Sequence, residues 1–275
     1  MTSETSATPR QGRNLAAATA VGIGLLGLLA LALVLPPTVL TILLGVLLFA
    51  AYVEIGGVLA DHDRRMHVDV LLVATTVLLV ATQLLGTQGQ GIGLIVLAAG
   101  AFLRSLADRD RTNVVETVAL TILFGLWLGG FASFAVLLRA LDQPVVLLVS
   151  ILGAAAVGDI GAYAIGSWVG RRPIAPTVSP KKTWEGFLGG LACSGLWGAA
   201  VLPLDGSSTV GRGLLIGFAV GLAGFLGDLI ASMAKRDLGI KDFGRLLPGH
   251  GGVLDRVDGL LVALPVGYVL VAILP

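Results

Sequence analysis

The chain has 275 residues, of which 56% are hydrophobic and 13% are charged, with a mean hydropathy of +0.94 and a formal net charge of +1. A soluble domain carries about 25% charged residues, so this composition excludes an ordinary soluble protein. The single cysteine, Cys193, lies in a hydrophobic segment, which excludes a disulfide framework and a cysteine-based zinc site. The net charge indicates no class of partner, and we expect no nucleic acid. The richness in Ala, Gly, Val and Leu is typical of a GC-rich bacterial genome.

Hydrophobic segments follow a polar stretch, residues 1–14, which we interpret as a disordered cytoplasmic tail. A helix needs about 20 apolar residues to cross the hydrocarbon core, where the backbone has no water to bond. The first segment is longer than the hydrophobic region of a signal peptide and is interpreted as an uncleaved span. The sequence therefore predicts an all-α polytopic membrane protein with nine transmembrane helices. In chain order these are Leu15–Leu35, Val39–Leu59, Val68–Leu85, Gly91–Ala107, Val115–Leu138, Val145–Val169, Phe187–Leu204, Gly213–Ile230 and Leu260–Leu274.

The distribution of basic residues predicts the orientation. With nine spans and a cytoplasmic N-terminus, every Lys and Arg except Arg139 and Arg212 falls on the cytoplasmic side. Without the short fourth span, which contains Arg104, the later basic loops would all lie outside, against the usual Lys/Arg bias. Long polar cytoplasmic loops flank spans seven and eight. We therefore expect the chemistry at the cytoplasmic face of residues 139–275, and expect residues 15–138 to serve as scaffold, lipid contact or oligomer interface.

Span six carries polar residues at helical spacing. Asp159, Tyr163 and Ser167 share one helix face. A carboxylate inside a span costs a few kcal/mol and usually faces a protein interior or a watery cavity. Asp159 is therefore either a functional group or a hydrogen-bond partner of a neighbouring helix.

The loop after span six contains three prolines that prevent a continuous helix. Lys181 and Lys182 come just before the expected start of span seven, where free backbone N–H groups and the helix dipole favour an anion. The same lysines also satisfy the cytoplasmic charge bias without any other role. The run Ser179–Gly186, SPKKTWEG, is more specific than that bias requires.

Charged residues are concentrated in Ser232–Asp258, between spans eight and nine. Asp228, Ser232 and Lys235 share one face at the end of span eight, and Arg236 follows. Asp255, Arg256 and Asp258 come at the start of span nine, at the same expected depth. Carboxylates on separate helix ends are suited to a hard cation such as Mg²⁺, and neighbouring Lys and Arg are suited to phosphate. The stretch therefore predicts a phosphate- and metal-binding surface.

His250 lies among glycines in this stretch, at Gly249, Gly251 and Gly252, which permit backbone N–H groups to point at an anion. We interpret His250 as a phosphate donor rather than a general base. A phosphate nucleophile is already anionic near neutral pH and needs no strong base. His62 and His67 have no comparable setting and are interpreted as surface residues.

Three motifs together resemble the phosphatidate cytidylyltransferase family, also called CDP-diacylglycerol synthases. The most specific is S-M-A-K-R-x4-K-D-x-G-x2-L-P-x-H-G-G-V-x-D-R-V-D, which begins at Ser232. Asp159–Tyr163 with its following glycines and Ser179–Gly186 resemble the other two. The resemblance covers roughly Asp159–Asp258; the first 150 residues match only as a hydrophobic multi-span region.

The resemblance implies transfer of a cytidylyl group from CTP to phosphatidate for phospholipid biosynthesis, by a dimer in the bacterial inner membrane. It implies Mg²⁺ and leaves a second cation open. Asp228 and Asp255 would be metal carboxylates, with Asp258 as a further ligand or support. The residues implied to be catalytic are Asp228, Asp255, Lys235, Arg236 and His250. Those implied to bind substrate are Asp159, Tyr163, Ser179, Lys181, Lys182, Ser232, Lys241, Gly251, Gly252 and Arg256.

Two other classes of function remain as alternatives. An ion-coupled transporter would use Asp159 and Asp228, but transporter sites usually lie near the middle of the membrane between repeats. Another membrane transferase is the second: a CDP-alcohol phosphotransferase would need an Asp-Gly-x2-Ala-Arg motif, which is absent, and a prenyltransferase would need aspartate-rich pairs, for which Asp255 and Asp258 alone are a poor match.

Overall fold

A computed structural model of the chain describes residues 15–206, 208–244, 246 and 251–274, with only the backbone for residues 15–21, 23, 25, 26 and 205. Its helices are α1 Leu15–Val34, α2 Pro37–Ala60, α3 Val68–Leu85, α4 Thr87–Ala107, α5 Val114–Phe124, α6 Phe131–Arg139, α7 Pro144–Val169, α8 Trp184–Val201, α9 Val210–Asp237 and α10 Leu254–Ile273. A π-helical segment, Gly125–Gly130, joins α5 and α6 into one span, and a 3-10 turn, Leu202–Asp205, follows α8. Strands β1 Pro173–Ala175 and β2 Ser179–Thr183 form an antiparallel hairpin.

The predicted spans are all helical. Within the described part of the chain, eight helices are long and apolar enough to cross a membrane, with Val114–Arg139 counted as one. Helix α1 adds 20 apolar residues at the position of the first predicted span. Large apolar side chains such as Ile160, Leu188 and Leu196 remain well exposed on the outer helix faces, as lipid contact requires. The prediction of an all-α polytopic membrane protein is confirmed.

Helices α9 and α10 extend furthest beyond their predicted apolar limits. Helix α9 continues to Asp237, seven residues past the predicted end, and α10 begins at Leu254, six residues before the predicted start. Hydropathy follows only the apolar part of a helix, whereas polar residues can continue the same backbone pattern into the headgroup region. Lys235 and Asp255 therefore lie on helices with fixed directions rather than on a free loop.

Several connecting loops meet at one end of the bundle. Arg64, between α2 and α3, contacts Asp237 at 2.8 Å and Glu116 at 3.5 Å. At the opposite end, Arg139 donates to the Leu35 carbonyl and Arg212 to the Val271 carbonyl. Arg139 and Arg212, which are predicted to lie outside the cytoplasm, are therefore at the end of the bundle opposite to Arg64. Which end faces the cytoplasm stays a prediction.

The prediction that His67 is a surface residue is wrong. Its side chain is buried, its backbone N–H donates to Thr121, and its Nε2 lies 2.8 Å from the Ser105 hydroxyl. Burial and the nearby Arg104 lower the pKa of the imidazole. His67 therefore ties the start of α3 to α4 and α5. Such contacts between distant spans leave no local pattern in the sequence.

Glycines bring α7, α8, α9 and α10 into backbone contact. Gly158 and Gly190 face each other between α7 and α8, and Gly227 approaches Gly259 between α9 and α10. Gly198 on α8 lies directly against Gly213 and Gly217 on α9. In lipid, where apolar side chains gain little by leaving the solvent, small residues let helices associate through close van der Waals packing. These contacts hold together the four helices that frame the site.

We expect Gly198→Ala to destabilise the protein by about 1–3 kcal/mol, as overpacking does in a tight core. The added Cβ would collide with the backbone of Gly213 and approach the Cα of Gly217 at 2.9 Å. Thermal unfolding of the detergent-solubilised protein measures the effect. The matched control is Gly211→Ala on α9, where a Cβ meets no atom within 4 Å. Equal midpoints for the two variants would contradict backbone packing at this contact.

Candidate active site

A cavity of about 440 Å³ opens where α7, α8, α9 and α10 meet the hairpin. It lies at the end of the bundle where α7 and α9 finish and α8 and α10 begin. Its lining residues are Asp159, Ala162, Tyr163, Lys181, Lys182, Thr183, Gly186, Phe187, Phe225, Asp228, Lys235, Asp242, Asp255, Arg256 and Asp258. Acidic and basic groups from four separate parts of the chain thus share one space.

The hairpin brings two lysines to this cavity. Trp184 N–H donates to the Arg172 carbonyl across its base, and Glu185 accepts from the backbone N–H groups of Arg171 and Arg172. Thr183 caps α8 by accepting from Gly186 N–H at 3.2 Å. The prolines that exclude a helix therefore allow a short extended segment. Its last residues deliver Lys181 and Lys182 next to the start of α8.

Lys182 is half-buried, with its Nζ enclosed beside Asp228. Its Nζ lies 2.7 Å from the Asp228 carboxylate and 4.4 Å from the centre of the Phe225 ring. Apart from this ion pair, the buried Nζ has no hydrogen-bond partner among the described residues, and a lysine ammonium has three donors. Ser232 donates weakly to the other oxygen of Asp228, at 3.4 Å. Lys182 therefore keeps donors for an anionic ligand.

A second lysine is paired more tightly. Lys235 donates to Asp255 at 2.8 Å and lies 4.0 Å from Asp258, and the Asp255 side chain is only 2% exposed. The other Asp255 oxygen accepts from the backbone N–H groups of Phe243 and Gly252. Asp255 therefore holds the loop between α9 and α10 as well as facing the cavity. A carboxylate has about four acceptor positions, so one remains on the oxygen that binds Lys235.

Most of the predicted site residues converge, but not all of them. Those that line the cavity are Asp159, Tyr163, Lys181, Lys182, Asp228, Lys235, Asp255, Arg256 and Asp258. Arg236 instead donates to the Val178 carbonyl and supports the hairpin. Ser179 pairs with Ala175 in the hairpin, and Lys241 lines a neighbouring cavity. His250 lies outside the described residues.

The predicted glycines have backbone roles. Gly251 has a positive φ of 83°, and a Cβ there would come within 3.2 Å of Asp255. Gly252 donates its N–H to the same carboxylate. Both glycines therefore shape the loop around Asp255, and neither lines the cavity.

Two acidic residues near the site were not predicted as site residues. Asp242 lines both the main cavity and the neighbouring one. Glu54, on α2, accepts backbone hydrogen bonds from the loop between α9 and α10. An acid inside an apolar span is itself a signal of function or burial, and Glu54 carries that signal. Asp242 is one of several acids in a charged stretch and has no distinguishing feature in the sequence.

The donor set is compatible with Mg²⁺ but does not form a complete cage. Among the described residues, no three His, Cys, Asp or Glu side chains come together as a ready metal site. Mg²⁺ usually binds through one or two carboxylates together with waters and substrate phosphates. Asp228 and Asp258 supply hard oxygens of that kind in the same cavity. These residues therefore fit a cation that is held jointly with a phosphate ligand.

Known proteins resemble this chain along its whole length. The sequence model of the cytidylyltransferase family matches residues 16–274. A phosphatidate cytidylyltransferase from Mycobacterium leprae is 33% identical over 294 residues, covering 100% of this chain and 93% of the relative. One from Mycobacterium bovis is 33% identical over 284 residues, covering 98% and 92%. One from Synechocystis is 45% identical over 136 residues, covering 48% and 45%. The chain belongs to the cytidylyltransferase family.

Proposed function

We propose that the protein transfers the cytidylyl group of CTP to phosphatidate, giving CDP-diacylglycerol and pyrophosphate. Membership of the cytidylyltransferase family makes the protein a nucleotidyltransferase, and relatives that match most of its length are named phosphatidate cytidylyltransferases. The observation that carries the proposal is the Lys182 ammonium in a cavity of acids and bases: it forms an ion pair with Asp228 at 2.7 Å and has further N–H donors for a second anion. A phosphate oxygen is the ligand that best satisfies such a donor.

In the proposed reaction, an oxygen of the phosphatidate phosphate forms a bond to the α-phosphorus of CTP. The bond from that phosphorus to the β-phosphate bridging oxygen breaks, and pyrophosphate leaves. Both reactants are anions, so the barrier arises mainly from repulsion and from positioning. Lys181, Lys182 and Arg256 line the cavity with positive charge that offsets this repulsion. No general base is required, because the attacking oxygen is already deprotonated.

We propose Mg²⁺ as the cofactor, with Asp228 and Asp258 as its protein ligands and Asp255 contributing its remaining acceptor position. When bound, Mg²⁺ would neutralise phosphate charge and orient the two substrates. Lys235 separates Asp255 from Asp258 and offsets their repulsion.

We also propose that the cavity faces the cytoplasm. CTP is made and used in that compartment, while phosphatidate presents its phosphate at headgroup depth. The cavity lies at the end of the bundle that gathers the loops rich in Lys and Arg, as the charge bias of membrane proteins favours for a cytoplasmic face.

The direct test uses purified protein, labelled CTP and phosphatidate in detergent micelles. We expect labelled CDP-diacylglycerol and pyrophosphate in equal amounts, with turnover that stops on addition of a chelator and returns with Mg²⁺. Phosphatidate is replaced by diacylglycerol as the control, since it lacks the attacking phosphate. Turnover that persists after chelation would contradict the cofactor, and absence of the CDP-lipid would contradict the reaction.

Sealed membrane vesicles test which face of the membrane the cavity opens to, and proteoliposomes test the transporter alternative. In sealed membrane vesicles, CTP cannot cross the bilayer, so inverted vesicles should form the product and right-side-out vesicles should not. Product formation only in right-side-out vesicles would reverse the orientation. Substrate-independent ion uptake by proteoliposomes, without CDP-lipid formation, would favour the transporter.

A further inference from the structure

Glu54 connects the N-terminal helices to the loop between α9 and α10. It lies on α2, outside the part of the chain that carries the motif resemblance. One carboxylate oxygen accepts from Leu246 N–H at 2.8 Å, and the other accepts from Val253 N–H at 2.8 Å. One side chain thus binds two points of the loop that are seven positions apart. Both oxygens are used, so a neutral amide at this position would not reproduce the contacts.

Asp255 binds the same loop from the other side. Its carboxylate accepts from Phe243 N–H and Gly252 N–H, at 2.8 and 3.0 Å. Gly252 directly precedes Val253, whose N–H binds Glu54. Consecutive backbone N–H groups therefore point to different carboxylates, one on α10 and one on α2. The helix fixes where Asp255 lies, but the orientation of its carboxylate depends on a loop whose other partner is Glu54.

At Gly244 and Gly252 the loop backbone lies so close to Glu54 that a side chain at either position is excluded. A Cβ at Gly244 would collide with the Glu54 carboxylate, and a Cβ at Gly252 would lie 2.7 Å from the Gly244 nitrogen. The flanking apolar residues Phe243 and Val253 are buried in a cluster that includes Tyr52 and Ile55 of α2. Packing and hydrogen bonds therefore both hold the loop against α2.

We propose that Glu54 is a positioning residue for the cavity: it holds the loop between α9 and α10 so that Asp242 and Asp255 take their places there. This inference rests on the proposed function for its effect on turnover, whereas the hydrogen bonds can be tested without substrate. It also assigns part of the site to the N-terminal region, which the sequence suggested only as scaffold, lipid contact or oligomer interface.

The first test is hydrogen exchange of the backbone amides in detergent, without nucleotide or lipid. We expect the Leu246 and Val253 amides to be protected in the wild-type protein and to lose about tenfold or more of that protection in Glu54→Gln, because each loses a charge-assisted hydrogen bond. The control is Glu116→Gln, which removes an acid at the same end of the bundle that contacts Arg64. Unchanged protection in Glu54→Gln would overturn the contact.

The second test separates positioning from loss of folded protein. A partly unfolded preparation lowers kcat and leaves KM unchanged, since the folded molecules still bind normally. For Glu54→Gln we expect a KM for CTP that rises together with a fall in kcat, giving a kcat/KM about tenfold or more below wild type. The Glu116→Gln variant should retain wild-type values. A lower kcat with unchanged KM, or unchanged kinetics with lost amide protection, would overturn the positioning role.

If Glu54→Gln does not fold, Glu54→Asp carries the same tests, because it keeps both acceptor oxygens but shortens the side chain. Its amide protection and KM are then compared with wild type in the same way. A wild-type protein that shows the protected amides but forms no CDP-lipid would contradict the proposed function and leave the Glu54 contacts in place.

Discussion

Replacement of Asp228 by asparagine is expected to lower kcat/KM for CDP-lipid formation by about 10²–10³-fold, the range for removing one preorganised electrostatic group. Asparagine keeps the shape of the side chain but removes its charge. Lys182 would lose its ion-pair partner at 2.7 Å, and the cavity would lose an oxygen donor suited to a cation. Initial rates at varied CTP and Mg²⁺ concentrations measure the effect.

The matched control for this prediction is Asp237→Asn, at the end of the same helix. Asp237 forms an ion pair with Arg64, in which the Asp237 side chain is 63% exposed and the Arg64 side chain 36% exposed. Asp237 does not line the cavity. Exposed pairs contribute about 0–1 kcal/mol, so stability and turnover should stay near wild type. Near-wild-type turnover of Asp228→Asn would show that the Asp228 charge has no role in the reaction. An equal loss in both variants would indicate a general charge effect instead.

The second large effect is expected at the Lys235–Asp255 pair. These side chains are 14% and 2% exposed, and removal of one partner from such a buried pair typically costs about 3–5 kcal/mol. Lys235→Met would also leave Asp255 and Asp258 without the cation between them. We therefore expect each of Lys235→Met and Asp255→Asn to lower the unfolding midpoint strongly and to abolish turnover.

The double variant Lys235→Met/Asp255→Asn tests the pairing itself. Because neither charge is then left alone, it should regain about 0.5–3 kcal/mol relative to the sum of the single changes, while turnover stays abolished. The control is Arg65→Met, which breaks an exposed pair with Asp110 at a similar distance of 2.7 Å. Its cost should stay below about 1 kcal/mol. Strict additivity of the two buried changes would show that the pair is not coupled.

The membrane architecture could be predicted because it follows from hydropathy. Each apolar segment is helical in the structure, and the predicted spans fall shortest at the polar continuations of α9 and α10. The hairpin at Pro173–Thr183 was not predicted, because prolines and lysines in a short polar loop give no strand pattern. The prolines did predict that this loop is not helical, and its extended backbone is what brings Lys181 and Lys182 to the cavity.

The sequence predicted most of the residues that form the candidate site, but not how they are arranged. Spacing showed that Asp228 and Lys235 share a face of α9, and the structure brings both to one cavity with Asp255. Which lysine pairs with which carboxylate depends on helix rotation and could not be read from spacing. Glu54 could have been noticed as an acid in an apolar span, but its contacts could not be predicted, because its partners lie about 200 positions along the chain. The dimer and the division into two membrane regions stay predictions.

The contact between Lys182 and Asp228 has a consequence for how ligands influence each other. A phosphate group that draws the Lys182 ammonium toward itself leaves Asp228 with an uncommitted carboxylate. A cation that occupies Asp228 in turn frees the ammonium for phosphate. Nucleotide and cation affinities would then be linked by one thermodynamic factor that acts equally in both directions. The ion pair would thus make binding of the two ligands cooperative, although neither ligand changes the fold.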